Sequence, residues 1–351
     1  MSDRRHLVLA FPGALDARTG GYVYDRRLAL ALEARGWRVD RLSLPEGFPF
    51  PSPEALARSA ALLRRLADGA TVLVDGLAFG AMPEIAAVEA GRLDLLALVH
   101  HPLCLETGLV PAAAAALEES ERRALAAART VVATSPATAR TLATLFGLPP
   151  ARITVAVPGT DPAPVARGSG GPGCRMVCVG TLTPRKGHLL LVEALAGMGD
   201  LAWELRCAGS TERHRPTAEA VAAAVAARGL DGRVRLLGEL DPDALATLYD
   251  AADLCVSASL YEGYGMALSE ALGRGLPLVA AAGGAVAETV PAEAGLLVPP
   301  GDAAALRAAL RRFVEEPGLA AALRAGALAA RARLPGWDAT AAQVEAALLG
   351  R

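Results

Sequence analysis

The chain has 351 residues, more than one hydrophobic core usually organises, so two domains of roughly 150 to 200 residues each are expected. Apolar residues make up 53%, but much of this is alanine, and no apolar run approaches the ~20 residues of a membrane helix. A net charge of −2 without a long basic block argues against nucleic acid as the main partner, and five scattered cysteines fit reduced thiols in a cytoplasmic protein.

Arg4-Arg5 followed by Leu7 to Phe11 imitates a signal peptide. The apolar run is broken by Pro12-Gly13 with no small-residue cleavage site behind it, so the segment reads as a buried first strand. Short β-branched runs then alternate with alanine- and leucine-rich helical stretches, the pattern of βαβ units around parallel sheets. Strands are predicted at Leu7 to Phe11, Val39 to Leu44, Thr71 to Asp75, Leu95 to Val99, Thr130 to Thr134 and Ile153 to Val157. Gly36 closes the helix ending at Arg35, and Ser135-Pro136 reads as an N-cap and first helical position. The run from Pro162 to Gly173, rich in proline, glycine and serine, separates two halves of similar length. The alternation restarts with strands at Arg175 to Val179, Trp203 to Ala208, Val234 to Leu237, Leu254 to Ser257 and Pro277 to Ala280, and a long helical tail follows Asp302. The domain reading is 1–162, a linker at 163–173, 174–335, and a C-terminal helix at 336–351 that would pack back on the first domain. Open parallel sheets bind ligands at the carboxyl ends of their strands, so the loops there carry the functional reading.

Among 35 Lys+Arg there is a single lysine, Lys186. It stands in Cys178-Val179-Gly180-Thr181-Leu182-Thr183-Pro184-Arg185-Lys186-Gly187-His188, a strand, a loop with two adjacent cations, and the start of a helix. Arginine offers a planar fork and lysine a point charge, so Arg185, Lys186 and free helix N–H groups match a diphosphate without a metal ion. The bland alternative is a solvated basic turn, which the lone lysine in an arginine-biased chain disfavours. Further on, Tyr261-Glu262-Gly263-Tyr264-Gly265-Met266-Ala267-Leu268-Ser269-Glu270 places Gly263 and Gly265 where backbone can approach a ligand. A helix from about Gly265 would aim its N–H groups at phosphate and carry Glu270 one turn in. Two carboxylates there suit sugar hydroxyls.

VGTLTPRKGH, EGYGMALSEAL, AAGGAVAETV and GLLVPPGD, in that order, closely resemble the carboxyl-terminal half of retaining glycosyltransferases of family 4. That resemblance implies the GT-B fold: two Rossmann-like doubly wound α/β domains facing across a cleft. In the family the arginine and lysine bind the donor diphosphate, the first glutamate of an E-x7-E motif lies against the donor sugar, and the second holds the ribose. Carried over, these are Arg185, Lys186, Glu262 and Glu270, with Gly180, Gly263, Tyr264, Gly265 and Met266 lining the donor. Tyr264 takes a position where phenylalanine is usual. Gly283-Gly284 would pass close to the donor, with Glu288 following.

The first half matches more thinly. Thr19-Gly20-Gly21 before a helix from Tyr22 resembles the family's glycine loop, which approaches the donor phosphates on domain closure. His100, or alternatively His101, ends the fourth strand where the family places a histidine against the transferred sugar; the competing reading is a capping or core histidine. Glu106 would contact the acceptor or begin a turn. Phe48 and Phe50, in a proline-stiffened loop, would line an acceptor pocket or pack locally. Arg26, Arg27, Arg35, Arg38 and Arg41 would make either a solvated face or a weak contact with anionic lipid headgroups.

The resemblance implies transfer of a hexosyl unit with retention from a nucleoside diphosphate sugar, UDP-sugar favoured and GDP-sugar possible, to a small-molecule or glycan acceptor. The nucleotide-sugar is a substrate, and no cofactor is implied. No metal is called for: the sequence has no aspartate pair of metal-binding spacing and no clustered His or Cys ligands. Three rivals stand beside this reading: a sugar phosphorylase or sugar-nucleotide epimerase on the same fold, a NAD-dependent dehydrogenase, and a non-catalytic nucleotide-sugar binding subunit. The dehydrogenase lacks support because no G-x-G-x-x-G follows the first strand.

Overall fold

The computed structural model describes residues 5–350; Arg4, read above with Arg5, lies outside them. The chain runs β1 (His6–Pro12), α1 (Gly20–Ala34), β2 (Arg38–Leu44), α2 (Pro53–Arg64), β3 (Thr71–Asp75), α3 (Gly76–Phe79), α4 (Pro83–Glu89), β4 (Asp94–Val99), α5 (Pro111–Ala127), β5 (Thr130–Ala133), α6 (Pro136–Phe146) and β6 (Ile153–Val155). It continues with β7 (Cys174–Val179), α7 (His188–Ala196), β8 (Trp203–Ala208), α8 (Arg215–Ala227), β9 (Val234–Leu236), α9 (Pro242–Asp250) and β10 (Leu254–Ser257). After these come α10 (Met266–Leu272), β11 (Leu278–Ala281), α11 (Val286–Thr289), β12 (Gly295–Val298), α12 (Ala303–Glu315), α13 (Pro317–Arg331) and α14 (Trp337–Leu348).

These elements form two compact units. Unit 1 holds the residues up to Gly159 and those from Pro335 onward, and unit 2 is Thr160–Leu334. Unit 1 is built on a parallel sheet of order β2-β1-β3-β4-β5-β6. Its inner strands β1, β3, β4 and β5 read as largely apolar runs because helices cover both faces, and Leu7, Leu9, Leu73, Leu96 and Val131 are fully buried, whereas the edge strand β2 alternates between buried and exposed residues. The chain leaves β1 in one direction and returns on its other side through β3, so the topological switch point lies between β1 and β3. Helix α14 belongs to this unit. Trp337 packs edge-on against Tyr24 of α1 at 5.5 Å, Thr340 Oγ1 donates to the Val157 carbonyl, and Arg35 pairs with Glu345 at 2.6 Å.

Unit 2 carries the order β12-β11-β10-β7-β8-β9, again parallel throughout, with its switch point between β7 and β10. Pro162–Gly173 lies along this unit: Ala166 is buried and bonds to the Arg274 carbonyl, and Arg167 pairs with Asp250. Strand β12 is missing from the sequence reading, which took GLLV only as part of a motif. Four residues that begin with a glycine and run into two prolines carry no period of their own, and the strand exists through its pairing with β11, Leu278 opposite Gly295. The predicted ends at Thr134, Val157 and Leu237 run past the pairing, and the strand predicted from Pro277 starts at Leu278, since proline has no N–H to give the ladder. The N-cap at Ser135 is as expected, its hydroxyl accepting from Thr138 N at 2.9 Å. Among the described residues no helix is long and apolar enough to cross a membrane.

Candidate functional site

In unit 2 the loops leaving β7 and β10 meet at the switch point. Their contact needs glycine. An added Cβ on Gly187, at φ +64°, would lie 2.1 Å from the Ala258 carbonyl oxygen; on the other side of the β7 loop, one on Gly209, just after β8, would lie 2.0 Å from the Gly180 carbonyl oxygen. Leu260 N donates to the Arg185 carbonyl at 2.8 Å, tying the two loops together. The aliphatic stem of Lys186 runs alongside Gly180, where a Cβ would meet its Cδ and Cε at 3.3 Å.

Residues 76 apart in sequence are thereby joined: Lys186 Nζ donates to Glu262 Oε1 at 2.6 Å. Arg185 Nη1 donates to the Tyr261 carbonyl at 2.8 Å and lies 3.5 Å from Glu262 Oε2. Glu262 is buried, which alone would raise its pKa. The charges of Lys186 and Arg185, with hydrogen bonds from Lys186 and Ser259, outweigh that and hold it below the usual range. Its backbone is fixed from the other side, where Ala285 N donates to the Glu262 carbonyl at 2.9 Å and Gly284 bridges to it. A Cβ on Gly283 would lie 2.2 Å from the Leu260 carbonyl oxygen. Gly283 and Gly284 therefore support the Glu262 loop directly. Gly283→Ala is expected to lower the denaturation midpoint, a strain cost of about 1 to 3 kcal/mol; an unchanged midpoint would refute that role.

The second glutamate sits apart from this pair. Glu270 lies on α10, which begins at Met266; Gly265, at φ +95°, precedes the helix instead of opening it. Burial, the largest influence, raises the Glu270 pKa, while Arg274 and the phenol of Tyr249, at 3.2 Å, oppose it. Tyr249 is itself fully buried and carries Arg274 over its ring at 4.6 Å. The Tyr264 carbonyl accepts from Thr289 Oγ1 at 2.6 Å, which fixes the turn between the two glutamates.

Unit 1 gathers a second group at its own switch point. Gly20 and Gly21 are the first residues of α1, and the His100 ring packs on that turn: a Cβ on Gly21 would lie 3.2 Å from His100 Cδ2. His100 Nε2 lies 3.0 Å from Asp25 Oδ1 and 3.5 Å from Asp75 Oδ2, and its ring stands edge-on to Tyr24 at 5.1 Å. Burial would lower the His100 pKa, but Asp25 and Asp75 overcome it and hold the imidazole up at about 10. Asp25 is raised above the ordinary carboxylate range, first by burial and then by Asp75. A histidine raised above its usual ~6.5 contributes its full stability below that value and loses it as pH rises through about 10. The denaturant midpoint should accordingly fall between about pH 6.5 and 10, and fall less in Asp25→Asn; parallel pH profiles would contradict this linkage.

Asp25 and Asp75 were not singled out in the sequence. Asp75 ends a parallel strand and Asp25 follows Gly21 by four residues on one helical face, and those two placements were the available signal. His101 lies 3.8 Å from Glu106 Oε2, away from the Asp25–Asp75 pair. Phe48 packs half-buried on the unit 1 core, whereas Phe50 is 61% exposed. The five arginines do not form an open basic face. Arg26 donates to the Leu15 and Ala17 carbonyls, Arg27 lies over Trp337, and Arg35, Arg38 and Arg41 pair with Glu345, Asp40 and Glu33. The sequence shows no clustered metal-type ligands, yet folding brings two such groups together, Asp25–Asp75–His100 and the buried Cys178–His188–Cys207.

Solved structures with this architecture define the fold class. Sucrose-phosphate synthase from Thermosynechococcus elongatus superposes with a TM-score of 0.80 at 23% identity, covering 96% of this chain and 97% of that one. Anabaena HepE, solved in complex with UDP-glucose, gives 0.75 at 18% identity, covering 98% and 100%. The fold is GT-B. The model of glycosyltransferase family 4 matches residues 19–163 and that of glycosyl transferases group 1 matches 173–316, and the chain belongs to this family. A D-inositol 3-phosphate glycosyltransferase of Thermobispora bispora is 34% identical over 64% of this chain, and the matched stretch spans about half of that relative's length, 56%.

Proposed function

We propose that the chain is a retaining glycosyltransferase that moves a hexosyl unit from a nucleoside diphosphate sugar, with UDP favoured over GDP, to a small-molecule or glycan acceptor. The observation that carries this is the convergence of Arg185, Lys186 and Glu262 at the unit 2 switch point, ahead of α7. In this reading Arg185 and Lys186 take the diphosphate, Glu262 takes a donor-sugar hydroxyl, Glu270 takes the ribose, and His100 meets the transferred sugar. The leaving diphosphate gathers negative charge in the transition state, and two cations already held in place stabilise it without reorganisation. A bound divalent metal is not part of the mechanism. The UDP-glucose complex of Anabaena HepE supports the choice of donor, and the family supports the reaction class.

The test is nucleoside diphosphate release from UDP- and GDP-sugars in the presence of EDTA, with and without candidate polyol and glycan acceptors. Turnover with at least one donor is expected, and no release under any condition overturns the proposal. Release of sugar phosphate only on adding inorganic phosphate would identify a phosphorylase. Glu270→Ala is expected to weaken nucleotide binding by about 10-fold or more, the worth of a charge-assisted hydrogen bond; unchanged affinity for UDP and GDP in calorimetry would remove its ribose role.

A further inference from the structure

Two strand ends of unit 1, the one that closes at Asp75 and the one that leads into His100, are braced by adjacent residues of a single helix. Ser120 and Glu121 lie in α5. Ser120 Oγ donates to the Gly80 carbonyl at 2.6 Å, at the end of α3, the helix capped by Asp75. Glu121 reaches the loop after β4: its Oε1 accepts from Leu103 N at 2.8 Å and its Oε2 from Cys104 N at 3.0 Å. The stem of Glu121 runs against Gly80, where an added Cβ would lie 2.7 Å from its Cγ.

Leu103–Leu105 form a single 3-10 turn, and the first N–H groups of a helical turn need an acceptor from outside it. The usual source is the side chain at the N-cap, but Pro102 stands there and offers none. Glu121 supplies both acceptors from 18 and 17 residues further on. It is 2% exposed, and a carboxylate buried so far is costly unless its oxygens are bonded. Burial pushes its carboxyl up to about 7 while the two N–H groups pull the other way, so above that pH it is an anion with both oxygens engaged. The neighbouring Cys104 thiol is pushed up to about 12, by burial and then by Glu121, and stays neutral. At its near end the loop is tied more loosely, Thr134 Oγ1 donating to the His100 carbonyl at 3.3 Å. Leu103 and Cys104 are buried, while Leu105 and Glu106 at the far end are exposed.

We propose that Glu121 is a positioning residue for glycosyl transfer: by holding the N–H groups of Leu103 and Cys104 it fixes the turn whose near end carries His100 and whose far end carries Glu106. The anchoring stands on the geometry of the turn, and its consequence for transfer rests on the reading in which His100 meets the transferred sugar. An apolar side chain in place of Glu121 would fill the same space yet strand two buried N–H groups, and the turn would shift to satisfy them. In that reading Arg185 and Lys186 hold the diphosphate in unit 2, so nucleotide binding should not follow the turn.

Both parts are tested on the full chain at about pH 8.5, above the Glu121 value of about 7. Hydrogen exchange of the Leu103 and Cys104 amides reads the anchoring. They are expected to be protected in the wild type, to exchange on the order of tenfold faster or more in Glu121→Ala, and to fall between in Glu121→Gln, which keeps one acceptor oxygen. Unprotected amides at both positions in the wild type overturn the proposal without relying on any variant that must fold. In transfer assays Glu121→Ala is expected to lower kcat on the order of a hundredfold, with UDP affinity changed less than about threefold and with Glu121→Gln recovering part of the loss. Where Glu121→Ala does not fold, Glu121→Gln carries the comparison, with kcat lowered about tenfold. Wild-type kcat in the variants overturns the positioning role, and so does a loss of UDP affinity in step with kcat, the mark of a general defect. Protected amides in a wild-type chain that turns over no donor support the anchoring and overturn the proposed function instead.

Discussion

Lys186→Ala is expected to lower kcat/KM on the order of a hundredfold while the far-UV spectrum stays that of the wild type. Two effects combine. The diphosphate loses one charge-assisted contact of about 1.5 to 3 kcal/mol, and that contact strengthens as charge builds on the leaving group. Glu262, now facing only the more distant Arg185, loses the partner at 2.6 Å that most directly favours its ionised form, and its pKa rises. A Lys186→Arg change should restore only part of the activity, because a planar fork cannot reproduce a point charge lying along Gly180. Wild-type activity in Lys186→Ala would remove the phosphate assignment.

Glu262→Gln should have the opposite effects on binding and turnover. Without a donor, Glu262 is the anion that neutralises Lys186 and Arg185. Glutamine keeps the shape and one acceptor but removes the charge, so an incoming diphosphate meets cations with less competition. UDP affinity is expected to hold or to tighten about 3- to 10-fold, a gain on the order of 1 kcal/mol for a partly buried charge. Transfer should nonetheless fall about a hundredfold or more, since the contact to the sugar goes with the carboxylate. The free variant should also melt earlier, having two cations side by side, and UDP should raise its melting temperature more than it raises that of the wild type. Weaker UDP binding in calorimetry would contradict this division of roles. The wild-type pairing has a pH signature of its own. Because the Glu262 pKa is depressed, its contribution to stability is present above the ordinary glutamate pKa and is lost as pH falls through the lower folded value.

The sequence displayed the donor-side residues because their chemistry is local: one lysine, an adjacent arginine, and two glutamates spaced around glycines. It could not display that Lys186 and Glu262 bond to each other. That contact depends on β7 and β10 lying side by side, and on Gly187, Gly209 and Gly283 allowing backbone to approach to distances no side chain permits. Parallel strands were legible even where they are as short as β9, β10 and β11, and illegible at β12, which is made by its neighbour. The amino-terminal cluster was half visible. His100 stood out at a strand end, but Asp25 is one acid beside two arginines on an amphipathic helix until folding buries it against the imidazole. The arginines around α1 and β2 looked like a basic surface because their partners are made by folding: Arg35 meets Glu345 from the far end of the chain, Arg41 reaches back to Glu33, and Arg26 turns to backbone carbonyls. The same holds for Cys178, His188 and Cys207, which adjacent strands and a helix start bring together.

The central claim is that the Arg185–Lys186 loop holds the diphosphate of a nucleotide-sugar, and calorimetric titration with UDP and GDP in EDTA tests it most directly. Wild-type protein is expected to bind at least one of them at a single site. Lys186→Ala should bind the same nucleotide about 10- to 100-fold more weakly, and Glu262→Gln at least as tightly as the wild type. Binding of neither nucleotide by the wild type, or equal binding by wild type and Lys186→Ala, would contradict the account.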